Sequence, residues 1–252
     1  MLMNLPEDLL CAILKTLPQN ELLGRVSKLN KYFYALSHSS LLWRNVYLDS
    51  IPLDEFIALI DRKVIGPHTL YLTGRPKLMQ RAWKAVMTHC PNLRTVTFTK
   101  AKVSNVLCDP LPTIRSLSLN GIIPDTNKYY DLISEKFAHN LTHLDMSDCS
   151  WVFDSFLEMR LLSSGRNLRH LNLTNCYRVG LGAPIQVELR DRLDRLVEIL
   201  GQCCPDLISL NLSGVLCNRK RCSQVSPALA LITIVPNNSE SDKNFPGYFF
   251  HG

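Results

Sequence analysis

Apolar residues along the middle of the chain recur in a fixed short pattern. In Asn167-Leu168-Arg169-His170-Leu171-Asn172-Leu173-Thr174-Asn175-Cys176 they fall at Leu168, Leu171 and Leu173, with Cys176 three residues on. Leu141, Leu144, Met146 and Cys149 repeat this spacing 27 residues upstream. Leu207, Leu210 and Leu212 repeat it again, with Val215 in the cysteine position. Ile114, Leu117 and Leu119 form another copy, Leu93, Val96 and Phe98 a looser one, and Leu70 and Leu72 after Pro67 the first. Copies starting at 67, 93, 114, 141, 168 and 207 are separated by 26, 21, 27, 27 and 39 residues. A second signal supports the register, because His89-Cys90-Pro91-Asn92-Leu93 and Cys203-Cys204-Pro205-Asp206-Leu207 enter their copies alike.

This is the strand-and-turn half of a leucine-rich repeat, and the spacing predicts about six parallel strands over 67–222. In such an array each strand is followed by a helix or irregular crossing on the convex side. Leu78, Ala82, Trp83, Val86, Met87 and Cys90 predict one such helix, and Tyr129, Leu132, Ile133 and Phe137 another. Phe153, Phe156, Leu157 and Leu161 predict a third, and Val187, Leu189, Leu193, Leu196, Val197 and Leu200 a longer fourth after a loop at 180–184. Residues 100–112 show no helical period and predict a short irregular crossing. Residues 223–252 read as a capping strand over 228–235 followed by a poorly ordered tail.

The first fifty residues follow another rule. Pro6 and the acids Glu7 and Asp8 open a helix on which Leu9, Leu10, Ile13, Leu14 and Leu17 recur at helical spacing. Asn20 is placed to cap a second helix carrying Leu22, Val26, Leu29, Phe33 and Leu36. Ser39 or Ser40 is placed to cap a third, holding Leu42, Trp43 and Val46. A module of this size has more apolar surface than it can bury alone, so part of that surface should face a partner. Residues 51–66, with Pro52 and two acids ahead of Phe56, Leu59 and Ile60, read as a helix joining module and array.

The N-terminal elements L-P-E-D-L-L, the Ile13-Leu14 pair, Glu21-Leu22-Leu23, Val26-Ser27 and the late Leu42-Trp43 resemble the F-box, over about Leu5 to Leu48. The order departs from the family pattern by about one extra residue near Gly24 and by Leu29-Asn30 in the middle. With the repeats, the chain resembles the F-box/leucine-rich-repeat class. The resemblance implies an α/β fold: a three-helix F-box over 1–50, then a curved solenoid with strands on its concave face. It also implies a substrate-recognition subunit of an SCF (cullin–RING) ubiquitin ligase. Its F-box would bind a Skp-type adaptor through Leu5, Pro6, Leu10, Ile13, Leu14, Leu22, Val26 and Leu29. The alternative is a non-catalytic repeat scaffold acting outside a ligase.

Strand alternation assigns the target-binding face. Tyr71, Thr95, Thr97, Ser116, Ser118, His143, Asp145, His170, Asn172, Ser209 and Asn211 should line it, with Thr69 at its first strand. Arg94, Arg115 and Arg169 follow the first apolar residue of three copies. They are read either as solvated edge residues or as a basic edge for acidic or phosphorylated ligands.

Composition narrows this little. The net charge of +6 permits an acidic partner without demanding one, and no nucleic-acid partner is expected. Nine cysteines with no recognisable leader read as reduced core thiols, in a cytoplasmic and/or nuclear protein. The longest apolar run, 228–235, is too short for a bilayer. His143, His170 and Asp145 make a trio without a fourth metal ligand, and Cys203, Cys204, Cys217 and Cys222 fit no zinc spacing. Gly180-Leu181-Gly182 lacks the context of a dinucleotide loop. No metal, cofactor or catalytic site is assigned. The sequons at Asn172 and Asn211 are repeat-strand residues.

Overall fold

The computed structural model describes residues 5–61, 66–73, 76–100, 102–103, 113–124, 139–161, 165–176, 200–215 and 233–234. The N-terminal helices are α1 (Glu7–Leu14), α2 (Gln19–Gly24) and α3 (Lys31–Ser37), with a 3₁₀ turn over Val26–Lys28. Pro6 and Pro18 stand just before α1 and α2, each offering its carbonyl to two N–H groups of the first turn. Asn20 therefore does not cap α2; its side chain accepts from Glu21 N inside the first turn.

The second predicted helix, over Leu22 to Leu36, is broken in two. Its first half stops at Gly24, and the chain turns extended at Asn30, whose Oδ1 accepts from Phe33 N at 2.9 Å and caps α3. A strong local cap outweighs an uninterrupted apolar period here. The third predicted helix is also absent. Residues 39–43 form turns, the Trp43 indole donates to Ser37 O at 2.8 Å, and Asn45–Tyr47 is a strand, β1. Val46 is fully buried within the sheet, so tertiary pairing decides this segment against its helical spacing.

After β1 come α4 (Leu53–Asp61), β2 (Thr69–Thr73), α5 (Pro76–His89), β3 (Thr95–Thr99), β4 (Lys102–Val103), β5 (Ser116–Asn120) and β6 (Ile123–Pro124). Then follow β7 (His143–Asp145), α6 (Asp154–Leu161), β8 (His170–Asn172), β9 (Ser209–Asn211) and β10 (Thr233–Ile234). Eight strands form one parallel sheet in the order β1-β2-β3-β5-β7-β8-β9-β10, while β4 and β6 pair separately. The array thus has one strand that was not expected, β1 from the N-terminal module, while β10 lies within the capping strand expected over 228–235.

The register aligns Val46, Leu70, Val96, Leu117, Leu144, Leu171, Leu210 and Ile234 in one row. From Val46 to Leu210 this row is buried, and it joins Leu93, Phe98, Met146, Leu173 and the helix residues Phe56, Ile60, Trp83, Val86, Phe156 and Leu157 in one continuous core. Burying apolar area of this kind at about 25 cal/mol per Å² drives the stacking of repeats that could not fold singly. α4 contributes Phe56, Leu59 and Ile60 to that core.

Among the described residues, five repeats close with the same turn. The residue five places after each strand entry, at Lys100, Gly121, Asp148, Asn175 and Gly214, has positive φ. In the first four, its N–H donates at 2.7–2.8 Å to a carbonyl of the next repeat, Asn120, Ser147, Thr174 and Ser213 in turn. Beneath two of these turns the Cys149 thiol donates to Leu119 O at 2.9 Å and the Cys176 thiol to Met146 O at 3.0 Å. Both thiols are buried and tie their turn to the preceding repeat.

The expected helices over 129–137 and 187–199, most of the 100–112 crossing, the 180–192 loop, Cys217 to Cys222 and the tail after 234 lie outside the described residues.

Candidate functional site: an apolar helical face and a polar strand face

The wide apolar stripe of α1 splits into two sides. Leu10, Cys11 and Leu14 are buried, and with Leu22, Leu23, Val26, Phe33, Leu36, Leu42 and Trp43 they form the core of the N-terminal module. Leu5, Leu9, Ile13 and Leu17, spaced four apart, are instead 36%, 53%, 47% and 38% exposed. Leu29, at 65%, and the rings of Tyr32 and Tyr34 are also exposed. Beyond the module and β1, the described residues expose large apolar side chains only at Ile123 and Ile208.

The eight residues expected to contact an adaptor therefore divide. Leu5, Pro6, Ile13 and Leu29 are exposed, whereas Leu10, Leu14, Leu22 and Val26 are consumed by the module's own packing. The last four act as support for the surface and do not form it. Sequence reading passed over Leu9, Leu17, Tyr32 and Tyr34 as surface residues. Four-residue spacing from Leu5 would have picked out the first two; nothing local would have picked out the tyrosines.

The polar face of the sheet carries two rows. One runs Asn45, Thr69, Thr95, Ser116, His143, His170, Ser209 and Thr233; the other runs Tyr47, Tyr71, Thr97, Ser118, Asp145, Asn172 and Asn211. All eleven residues expected on this face lie in these two rows, together with Thr69. Tyr47 and Tyr71 stack with centroids 4.5 Å apart and planes 4° apart, giving the β1 end an aromatic platform. The His143 and His170 rings stack at 4.2 Å and 18°. Tyr47 was missed because its segment reads as helix.

The face is largely self-satisfied. Ser118 Oγ donates to Asp145 Oδ2 at 3.0 Å, and Asp145 Oδ1 accepts from Ser147 N at 2.9 Å. Asn172 Oδ1 accepts from both N and Oγ1 of Thr174, and Asn211 Oδ1 accepts from Ser213 N at 3.0 Å. Asp145, Asn172 and Asn211 thus spend one carbonyl or carboxylate oxygen turning the chain. Desolvation against its neighbour lowers the His143 pKa below the usual histidine value, with His170 and then Arg169 adding repulsion. Thr142 Oγ1 lies 2.8 Å from His143 Nδ1.

Among the described residues no group of three or more His, Cys, Asp or Glu side chains converges as a metal site. No helix among them is long and apolar enough to cross a membrane.

Residues 2–49 match the F-box-like family model. The N-terminal module is an F-box-like domain. Behind this domain the parallel sheet has a counterpart in the crystal structure of the yeast Rad7 and Elc1 complex. That match has a TM-score of 0.52 and 16% identity, and covers 85% of this chain. The chain spans 59% of the length of the yeast chain it matches. At that identity the likeness is one of fold: an F-box-like domain followed by a parallel-strand array.

The F-box-like domain is joined to the array through side chain and main chain together. Gln19, buried at the start of α2, donates from Nε2 to Asn45 O at 2.6 Å and accepts at Oε1 from Tyr47 N at 3.0 Å. One amide pairs with the free edge of β1 as a neighbouring strand would.

Proposed function

We propose that this chain is the substrate-recognition subunit of an SCF-type ubiquitin ligase. The F-box-like domain binds a Skp-type adaptor and through it the cullin–RING core, and the repeats hold the target protein. The observation that carries this reading is the exposed row Leu5, Leu9, Ile13 and Leu17 on the F-box-like domain. Leu9 and Ile13 stand four apart on the outer side of α1, with Leu5 and Leu17 just beyond its two ends, and apolar side chains at that spacing are how a helix presents itself to a partner. The yeast match was solved as a complex of Rad7 with Elc1, which supports a protein partner for a chain of this fold.

The chain performs no chemistry in this reading. It holds a target lysine near a charged conjugating enzyme, raising the effective concentration of one against the other. The rigid joint at Gln19 and the shared core serve that task, because a loose hinge would dilute the effect.

The test is a pull-down of wild type and of Leu9→Asp combined with Ile13→Asp, blotted for adaptor and cullin. Wild type should retain both partners, and the variant should lose both with its circular dichroism unchanged. Capture of neither by wild type leaves the scaffold reading in place.

A further inference from the structure

We infer that the strand-entry rim of the sheet, from Arg44 to Arg169, is a docking surface for an extended acidic segment of the target protein. The inference rests on the substrate-recognition reading and names the chemistry of what is recognised.

The main-chain ladder sets the geometry. Arg44 O accepts from His68 and Thr69, His68 O from Arg94 and Thr95, and Arg94 O from Arg115 and Ser116. Arg115 O accepts from Thr142 and His143, and Thr142 O from Arg169 and His170. Arg44, His68, Arg94, Arg115, Thr142 and Arg169 therefore occupy successive rungs just ahead of the strands. At about 4.8 Å per rung they span about 24 Å, the length of roughly seven extended residues. All but the half-buried Thr142 are exposed.

Charge decides the occupant. Arg44, Arg94 and Arg169 are exposed cations along this rim, while Arg115 Nη1 between them donates to Ile114 O at 3.3 Å and Asn140 O at 3.4 Å. Among the described residues neither Arg44, Arg94 nor Arg169 is in an ion pair. An anion lying along the row meets Arg44, Arg94 and Arg169 through charge-assisted hydrogen bonds.

Thr142 adds a pocket. Where an arginine is replaced by this shorter side chain, a depression of about 270 Å³ opens between Arg115 and Arg169, lined also by Asn140, Asn167 and Asp206. Asp206 in its lining marks the end at which the positive row stops. A nucleic acid fits less well, because the row is a single residue wide and the adjoining Thr69, Thr95 and Ser116 are neutral and non-aromatic.

The experiment is fluorescence anisotropy of the full chain with a fluorescein-labelled octaglutamate peptide, against octaglutamine and an eight-nucleotide oligo-dT. Octaglutamate should bind more tightly than the other two probes and weaken as salt rises. Arg94→Ser with Arg115→Ser and Arg169→Ser should reduce its affinity at least about tenfold while adaptor capture is retained. Thr142→Asp, which places negative charge in the pocket at the expense of the hydroxyl's bond to Arg115 O, should abolish binding in protein whose circular dichroism is unchanged. The inference fails if wild type does not bind octaglutamate, if octaglutamine or oligo-dT binds as well, or if these variants bind like wild type. Loss of adaptor capture by wild type, with octaglutamate binding intact, would overturn the ligase reading and leave the rim standing.

Discussion

Gln19 accepts a hydrogen bond from the main-chain N–H of Tyr47 at 3.0 Å, across 28 residues of sequence. Because the same amide also donates to Asn45 O, the first strand of the array has its outer edge satisfied by the F-box-like domain. Gln19→Ala removes both hydrogen bonds to β1, and each such bond contributes about 0.5–1.5 kcal/mol net. The expected outcome is a lower melting temperature together with faster hydrogen exchange at the Tyr47 amide. Exchange at Leu171, five rungs along the sheet, should change far less.

Leu9 and Leu10 are neighbours in sequence with opposite fates, 53% and 2% exposed. Leu10→Ala should destabilise the chain by about 2–5 kcal/mol, as for other buried leucines, and reduce adaptor capture only through unfolding. Leu9→Ala should leave stability within about 0.5 kcal/mol and weaken adaptor binding directly. Thermal melts beside adaptor titrations separate the two effects.

The His143 pKa is lowered by desolvation first and by His170 second. The folded chain therefore favours neutral His143, so the unfolded state takes up a proton at higher pH. Stability from this residue is complete above the unfolded value near 6.5 and is lost as pH falls through the folded value. The effect should be small, since the ring is partly in water. In an NMR titration His143 should have a midpoint below that of a free histidine, and His170→Ala should raise it.

Burial pushes the thiols of Cys90, Cys149, Cys176 and Cys204 up to about 12. At pH 8 their thiolate fraction falls on the order of a thousandfold below that of an ordinary cysteine. Iodoacetamide should leave these four unlabelled in the native chain and label them after urea unfolding, read by peptide mass. Cys149→Ser should cost roughly 1–3 kcal/mol, the price of burying a hydroxyl in the thiol's place.

Gly214 has φ +73°, and a Cβ there would run into Asn175 Oδ1. Gly214→Ala should cost at least about 1–2 kcal/mol from left-handed strain, plus the collision. In an Asn175→Gly background the collision is removed and the strain remains. The cost should therefore shrink but not vanish, as chemical denaturation of the four variants would show.

The repeat strands, their register and their polar face were legible in the sequence because each is set by local alternation repeated along the chain. A spacing of 27 residues between Leu141 and Leu168 carries the same information as the pairing of Leu144 with Leu171. The F-box resemblance was legible for a like reason, since the order of its short motifs survives in linear form. What the sequence could not decide was which side of an over-wide apolar stripe faces inward. Leu9 and Leu10 are the same residue type, and only the packing of α1 against Leu22, Phe33 and Trp43 tells them apart. Nor could it decide the fate of Asn45 to Tyr47, whose own spacing favours a helix. That segment becomes a strand because β2 offers a parallel edge on one side and Gln19 an amide on the other. Both partners lie more than twenty residues away, and local periodicity carries no information about them.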